Sequence, residues 1–266
     1  MPVTVVDRKG TLLTGLARED FVVLENKEPQ RIVAFTKEDV PVSLGIVFDM
    51  SGSMKQRLSD AKAVLQALLQ TANESDEAFL MTVSTQPRTS YDFTHDLAGL
   101  GNNILFEPGG GSTALIDTAY EAISHMHRGR NVRKAIVIVS DGMDNHSRYS
   151  RSELLQLAVE SDVAVYTIGL WTVEPNKKPV ELGEQRGGLL SLEEIANRTG
   201  GLHASGSSGD MIHAAAAMGR AMRSFYVIAY EQHHSSVSAD GKWRSIQVRS
   251  TIPNALVYAR PGYYSR

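Results

Sequence analysis

Val42-Ser43-Leu44-Gly45-Ile46-Val47-Phe48-Asp49-Met50-Ser51-Gly52-Ser53 is the stretch that decides the fold. Its first seven residues form a nearly continuous apolar run, the pattern of a strand buried on both faces. A turn follows, and then Leu58–Ala72, where Ala61, Val64, Leu65, Leu68 and Leu69 recur at helical spacing. The alternation continues outward. Ala78–Val83, Ala135–Val139 and Val163–Gly169 read as further strands. Thr113–Met126, Ser152–Ser161, Leu192–Arg198 and Met211–Met222 read as helices. Strands alternating with helices give an α/β class, a Rossmann-like, doubly wound, mostly parallel sheet with helices on both faces. Such sheets bind ligands beyond the carboxyl ends of their strands.

The two ends of the chain read differently. Val3–Asp7, Phe21–Glu25 and Arg31–Lys37 are short strands separated by turn signals, and Phe225–Glu231, Trp243–Ser250 and Ala255–Arg260 repeat the pattern. Asp240-Gly241 reads as a hairpin turn. Neither set buries much alone. The expectation is a small β-rich module built from residues 1–38 with 225–266, around an α/β domain at 39–224. Thr172–Gly188 is polar and aperiodic, with Glu174, Lys177, Lys178, Glu181 and Glu184, and reads as a long surface loop.

Composition excludes several classes. The 266 residues carry 27 Lys+Arg against 30 Asp+Glu, a net charge of −3, which argues against a nucleic-acid binder run on bulk electrostatics. No apolar stretch is long enough to span a membrane. With 0 Cys there is no disulfide, thiolate metal site or cysteine nucleophile. The first residues read as a strand and not as a signal peptide.

Three segments place oxygen-bearing side chains at strand ends. Asp49, Ser51 and Ser53 follow the first buried strand, and Ser140-Asp141-Gly142 follows Ala135–Val139. Gly109-Gly110-Gly111-Ser112-Thr113 precedes a helix. Each is ordinary by itself, since Ser, Thr and Asp cap helices well. Together they form an all-oxygen set without His or Cys. That chemistry suits a hard cation such as Mg²⁺, which takes six oxygens.

Residues from Val42 to about Met222 resemble the von Willebrand factor type A domain. The metal-ion-dependent adhesion site (MIDAS) of that family has Asp-x-Ser-x-Ser, a distant Thr in a Gly-rich loop, and Thr/Ser-Asp-Gly. Asp49, Ser51, Ser53, Thr113 and Asp141 match it one by one. The resemblance implies bound Mg²⁺ or Mn²⁺ and a binding role, with an exposed Asp or Glu of a protein partner as the docked group. The flanks, Leu16-Ala17-Arg18-Glu19-Asp20-Phe21 with Ile32-Val33-Ala34-Phe35, and Ala259-Arg260-Pro261-Gly262-Tyr263, look like acidobacterial "VWFA-related" proteins. That likeness implies an extracytoplasmic place.

The competing reading is a haloacid-dehalogenase-like phosphatase, whose Asp nucleophile also follows a buried strand. Phe48-Asp49 and Asp141-Gly142-Met143-Asp144 imitate its motifs. That chemistry needs a second carboxyl as general acid two residues after the nucleophile, where this chain has Ser51. A third reading is an assembly module whose metal only staples the fold. His125 and His127 do not share a helix face, and His233-His234 reads as hairpin loop. Arg128, Arg130, Arg133 and Lys134 read as a solvated basic face. Trp171, Trp243, Tyr226, Tyr230 and Tyr258 read as sheet packing.

Overall fold

The computed structural model describes residues 1–8, 10–104, 110–171, 179–231 and 241–265. The central unit is a six-stranded sheet, built from β4 (Val42–Asp49), β5 (Glu77–Val83), β6 (Arg88–Thr94), β7 (Arg133–Ser140), β8 (Ala164–Leu170) and β9 (His203–Gly206). Their order across the sheet is β6-β5-β4-β7-β8-β9, and all but the edge strand β6 run parallel. β4 lies in the middle, and the chain winds from it to β5 on one side and later to β7 on the other. The crevice at that switch point, beyond the carboxyl ends of β4 and β7, is where such sheets hold ligands.

Strand alternation sends neighbouring side chains of β4 to opposite faces. Ile46 and Phe48 pack with Leu65 of α1 (Leu58–Leu69), Leu100 of α2 (Leu97–Asn103) and Met218 of α6 (Ser208–Arg223). Val47 joins the other layer, with Ile123 of α3 (Leu115–His125), Leu154 of α4 (Arg151–Glu160) and Leu192 and Ile195 of α5 (Pro179–Thr199). Each fully buried large side chain of this kind stabilises the fold by roughly 1.5–3 kcal/mol.

The chain ends form a second, antiparallel sheet. Its strands are β1 (Pro2–Val6), β2 (Phe21–Glu25), β3 (Glu28–Asp39), β10 (Ser224–Glu231), β11 (Trp243–Ser250), β12 (Leu256–Ala259) and β13 (Gly262–Tyr264). The order β12-β1-β10-β3-β2-β11-β13 interleaves the two termini. β12 also touches β11, so the sheet curls around a core of Val3, Val5, Phe21, Val23, Tyr226 and Ile228. Within it, the Phe35 and Tyr226 rings stack at 5.3 Å.

Three sequence expectations need correction or fall outside the described residues. Residues 179–188, read as loop, are the first half of helix α5, while residues 172–178 lie outside the described residues. Arg133, read as part of a solvated basic face, is 8% exposed inside β7. Its Nη2 donates to the Tyr166 hydroxyl at 3.0 Å, its Nε to the Met222 carbonyl at 3.2 Å, and its guanidinium lies 4.6 Å from the Phe225 ring centre. A buried cation so placed joins the α/β unit to the terminal sheet. His233, His234 and Asp240 lie outside the described residues, whereas Gly241 takes the positive φ (+68°) that a turn demands.

Candidate metal centre

Asp49 is the last residue of β4 and Asp141 follows the last residue of β7, so the parallel pairing of these strands brings two carboxylates to one crevice. Both are buried, as are Ser51 and Thr113, while Ser53 is exposed. The Asp49 carboxylate is held by two donors. Ser51 N–H donates to its Oδ1 at 2.9 Å, and the Ser140 hydroxyl to its Oδ2 at 2.5 Å. Ser140 in turn accepts from Gly142 N–H at 2.9 Å. The Asp141 carboxylate accepts from Met143 N–H at 3.1 Å.

Backbone bonds stitch the three loops together. Gly52 N–H donates to the Gly111 carbonyl at 3.0 Å, and Gly110 N–H to the Met50 carbonyl at 2.7 Å. Gly110 and Gly111 adopt positive φ, +146° and +89°, a backbone conformation that residues with a side chain rarely take. Thr113 N–H donates to Asn145 Oδ1 at 2.9 Å, and its carbonyl accepts from Asn145 and His146 N–H at 3.0 and 3.1 Å. Gly109 lies outside the described residues.

Burial dominates the electrostatics. It pushes the Asp49 carboxyl from 3.8 up to about 6, against the hydrogen bonds from Ser140 and Ser51, and the nearby Asp141 charge adds to the rise. A cation in the crevice would relieve this charge. The donor set fits a hard, six-coordinate ion. Ser51 Oγ and Ser53 Oγ are 3.1 Å apart, matching the edge of about 3.0 Å between adjacent ligands of an octahedron at 2.0–2.1 Å. Among the described residues no group of three or more His, Cys, Asp or Glu side chains forms an alternative metal cluster.

Residues 44–143 match the family model of the von Willebrand factor type A domain. The central unit has the von Willebrand factor type A fold. A curated relative, an uncharacterized protein of Borreliella burgdorferi, is 25% identical over 177 residues, 59% of this chain and 51% of its own. The chain therefore spans about half the length of that relative. Among solved structures, a von Willebrand factor type A protein from Catenulispora acidiphila superposes with a TM-score of 0.58 at 13% identity, covering 100% of this chain and 63% of that one. Proximal thread matrix protein 1 from the mussel byssus, solved with a zinc-occupied MIDAS motif, gives 0.58 at 14% identity, covering 74% and 50%. At these identities the likeness is one of fold.

Three residues of the crevice carry no signal in the sequence that marks them as site residues. Ser140 was visible only as part of a turn, yet it anchors Asp49. Asn145 fixes Thr113 from 32 residues away. Arg57 reaches Asp141, with Nη1 3.1 Å from Oδ2. Ser140, inside the Ser140-Asp141-Gly142 segment, and Asn145, a polar residue just beyond it, leave a local trace, whereas Arg57 leaves none. Beside the crevice opens a cavity of about 520 Å³ lined by Thr85, Gln86, Asp117, Glu121, His146 and Arg148 among others. Thr85 borders both, since its Oγ1 accepts from Ser112 N–H at 3.4 Å. Asp117 is the buried polar anchor of that cavity, accepting from Arg148 and Tyr149 N–H at 2.8 and 2.9 Å.

Proposed function

We propose that this chain is a non-enzymatic protein-interaction module that docks an acidic side chain of a partner at a divalent cation, Mg²⁺ or Mn²⁺. Asp49, Ser51, Ser53, Thr113 and Asp141 would hold the ion. The observation that carries this reading is the Ser51–Ser53 hydroxyl pair, 3.1 Å apart beside two buried carboxylates. A bound divalent ion supplies a dense positive charge with room for one more anionic oxygen. The protein residues do the rest. The hydroxyls of Ser51, Ser53 and Thr113 bring no negative charge of their own, so a carboxylate from outside can complete the ion's coordination. Ser53, the exposed member, marks the mouth through which it enters. The cavity beside Thr85 offers room for residues flanking the docked group.

Docking is favoured over stapling because the three loops are already joined by backbone hydrogen bonds that need no ion. Phosphatase chemistry is disfavoured because Ser51, which cannot donate a proton as a carboxylic acid would, occupies the general-acid position. An extracytoplasmic place belongs to the same proposal and rests on the likeness of the chain ends. Cell fractionation checks it, and a cytosolic signal would remove it.

Two substitutions separate the roles. Asp49→Ala should abolish both cation and partner binding. Thr113→Ala removes a neutral hydroxyl and should weaken partner binding more than cation binding. Calorimetry with Mg²⁺, and partner capture with Mg²⁺ against EDTA, are the measurements. Equal loss of Mg²⁺ affinity in both variants, or capture indifferent to EDTA, would refute the docking point.

A further inference from the structure

Arg57 has no part in the docking reading as stated. It ends the short 3-10 segment Gly52–Arg57, which turns its side chain back into the crevice. That side chain is 7% exposed, and its Nη1 is 3.1 Å from Oδ2 of Asp141, itself 2% exposed. The same nitrogen donates to the Ser53 carbonyl at 3.3 Å. One guanidinium therefore touches two of the five candidate ligand residues. Arginine stays protonated at every working pH, so this charge is fixed.

We propose that Arg57 is a built-in counter-ion that sets the charge of the cation site, weakening its hold on the metal and strengthening the loaded site's hold on an anion. This rests on the docking reading above. Asp49 and Asp141 in ionised form bring two negative charges, and Arg57 brings one positive. The site then carries one net negative charge before a divalent ion enters and one net positive charge after. Without Arg57 the loaded site would be neutral, with little to distinguish a carboxylate from water. With it, an anionic oxygen completes the charge balance. Arg57 thus selects a carboxylate-bearing partner over a neutral one. It also keeps Asp141 paired when no ion is bound, which matters because an uncompensated buried carboxylate is strongly destabilising.

The test uses the full chain as wild type, Arg57→Gln and Arg57→Lys, with Mn²⁺ as probe. Mn²⁺ affinity comes from calorimetry. Anion affinity comes from titrating acetate into the Mn²⁺-loaded protein and following water-proton relaxation at the ion. A unit charge a few ångströms away at an effective dielectric of about 20 shifts binding by at least tenfold. Arg57→Gln should therefore bind Mn²⁺ about tenfold more tightly or better, and acetate several-fold more weakly. Arg57→Lys, which keeps the charge, should match the wild type in both. A merely structural role would lower Mn²⁺ affinity in the Gln variant and would not be rescued by charge alone. If Arg57→Gln fails to fold, Arg57→Met retains the packed stem and takes its place. Equal or weaker Mn²⁺ binding by the folded neutral variant overturns the counter-ion role and leaves docking intact. Absence of Mn²⁺ binding in both wild type and neutral variant overturns the docking reading itself. Mn²⁺ binding by the neutral variant alone supports the counter-ion role in its strongest form.

Discussion

Gly188 lies in α5 with its backbone against the Asp141-Gly142 turn, and replacing it by Ala tests whether this helix sets the position of the candidate site. A Cβ on Gly188 would fall 2.8 Å from the Asp141 carbonyl oxygen, 2.8 Å from the Gly142 carbonyl carbon and 3.0 Å from its oxygen. All three are backbone atoms, and Gly142 sits at φ +79°, where no side chain fits without strain. The turn must therefore shift as a unit, and Asp141 with it. Two effects compete. Gly→Ala within a helix stabilises by about 1 kcal/mol, while overpacking costs about 1–3 kcal/mol. The expected net is a loss of up to about 2 kcal/mol, roughly 2–4 °C in Tm per kcal/mol for a chain this size. Gly187 is the control. A Cβ there meets nothing within 4 Å, so Gly187→Ala should keep the full gain of about 1 kcal/mol. The sharper readout is the cation. Disturbing the backbone that carries a ligand should lower Mg²⁺ affinity about 10–100-fold in Gly188→Ala and leave it unchanged in Gly187→Ala. Calorimetric melting and Mg²⁺ titration of the pair measure both. A Gly188→Ala protein that is stabilised like Gly187→Ala, with wild-type Mg²⁺ affinity, would refute the coupling of α5 to the site.

The remaining predictions concern pH and cooperativity. Because burial raises the Asp49 carboxyl to about 6, the folded state binds more protons than the unfolded chain between pH 3.8 and about 6. The stability this group contributes is present below pH 3.8 and is lost as pH rises through about 6, roughly 3 kcal/mol in total. In EDTA, Asp49→Asn should therefore melt higher than wild type at pH 7.5, and the difference should vanish near pH 4. A variant that melts lower at pH 7.5 would contradict the burial argument. The terminal sheet encloses a core separate from the two layers around β4. We propose that residues 1–38 with 225–266 form one domain and residues 39–224 another. In denaturant, amides of β3 and β11 should then exchange before those of β4 and β7, and coincident loss of protection would merge the two into one unit.

Much of this arrangement was legible in the sequence because the local and the global signals agree there. Strands buried on both faces are apolar at nearly every position, so residues 42–48, 135–139 and 163–169 point to a parallel sheet from sequence alone. Once the strands are placed, Asp49, Ser51, Ser53 and Asp141 fall at or just past their ends, and the resemblance to the family's motif adds Thr113, ahead of a helix, to the set. The terminal strands were equally readable, but not the interleaved order that closes them around Tyr226. What the sequence could not say depended on contacts between distant residues. Residues 179–188 read as loop because the stretch is polar and aperiodic, and Gly183, Gly187 and Gly188 also disfavour a helix by local propensity. They are helical, and Gly188 and Gly142 meet there as two bare backbones. Arg133 looked solvated because its neighbours are charged, yet Tyr166 and Met222 supply its acceptors in the interior. Ser140 anchors Asp49 across 91 positions and Arg57 pairs with Asp141 across 84. No period of 2 or 3.6 encodes such pairs. They exist because the parallel register of β4 and β7 delivers both carboxylates to one desolvated crevice, where the nearest donors must satisfy them.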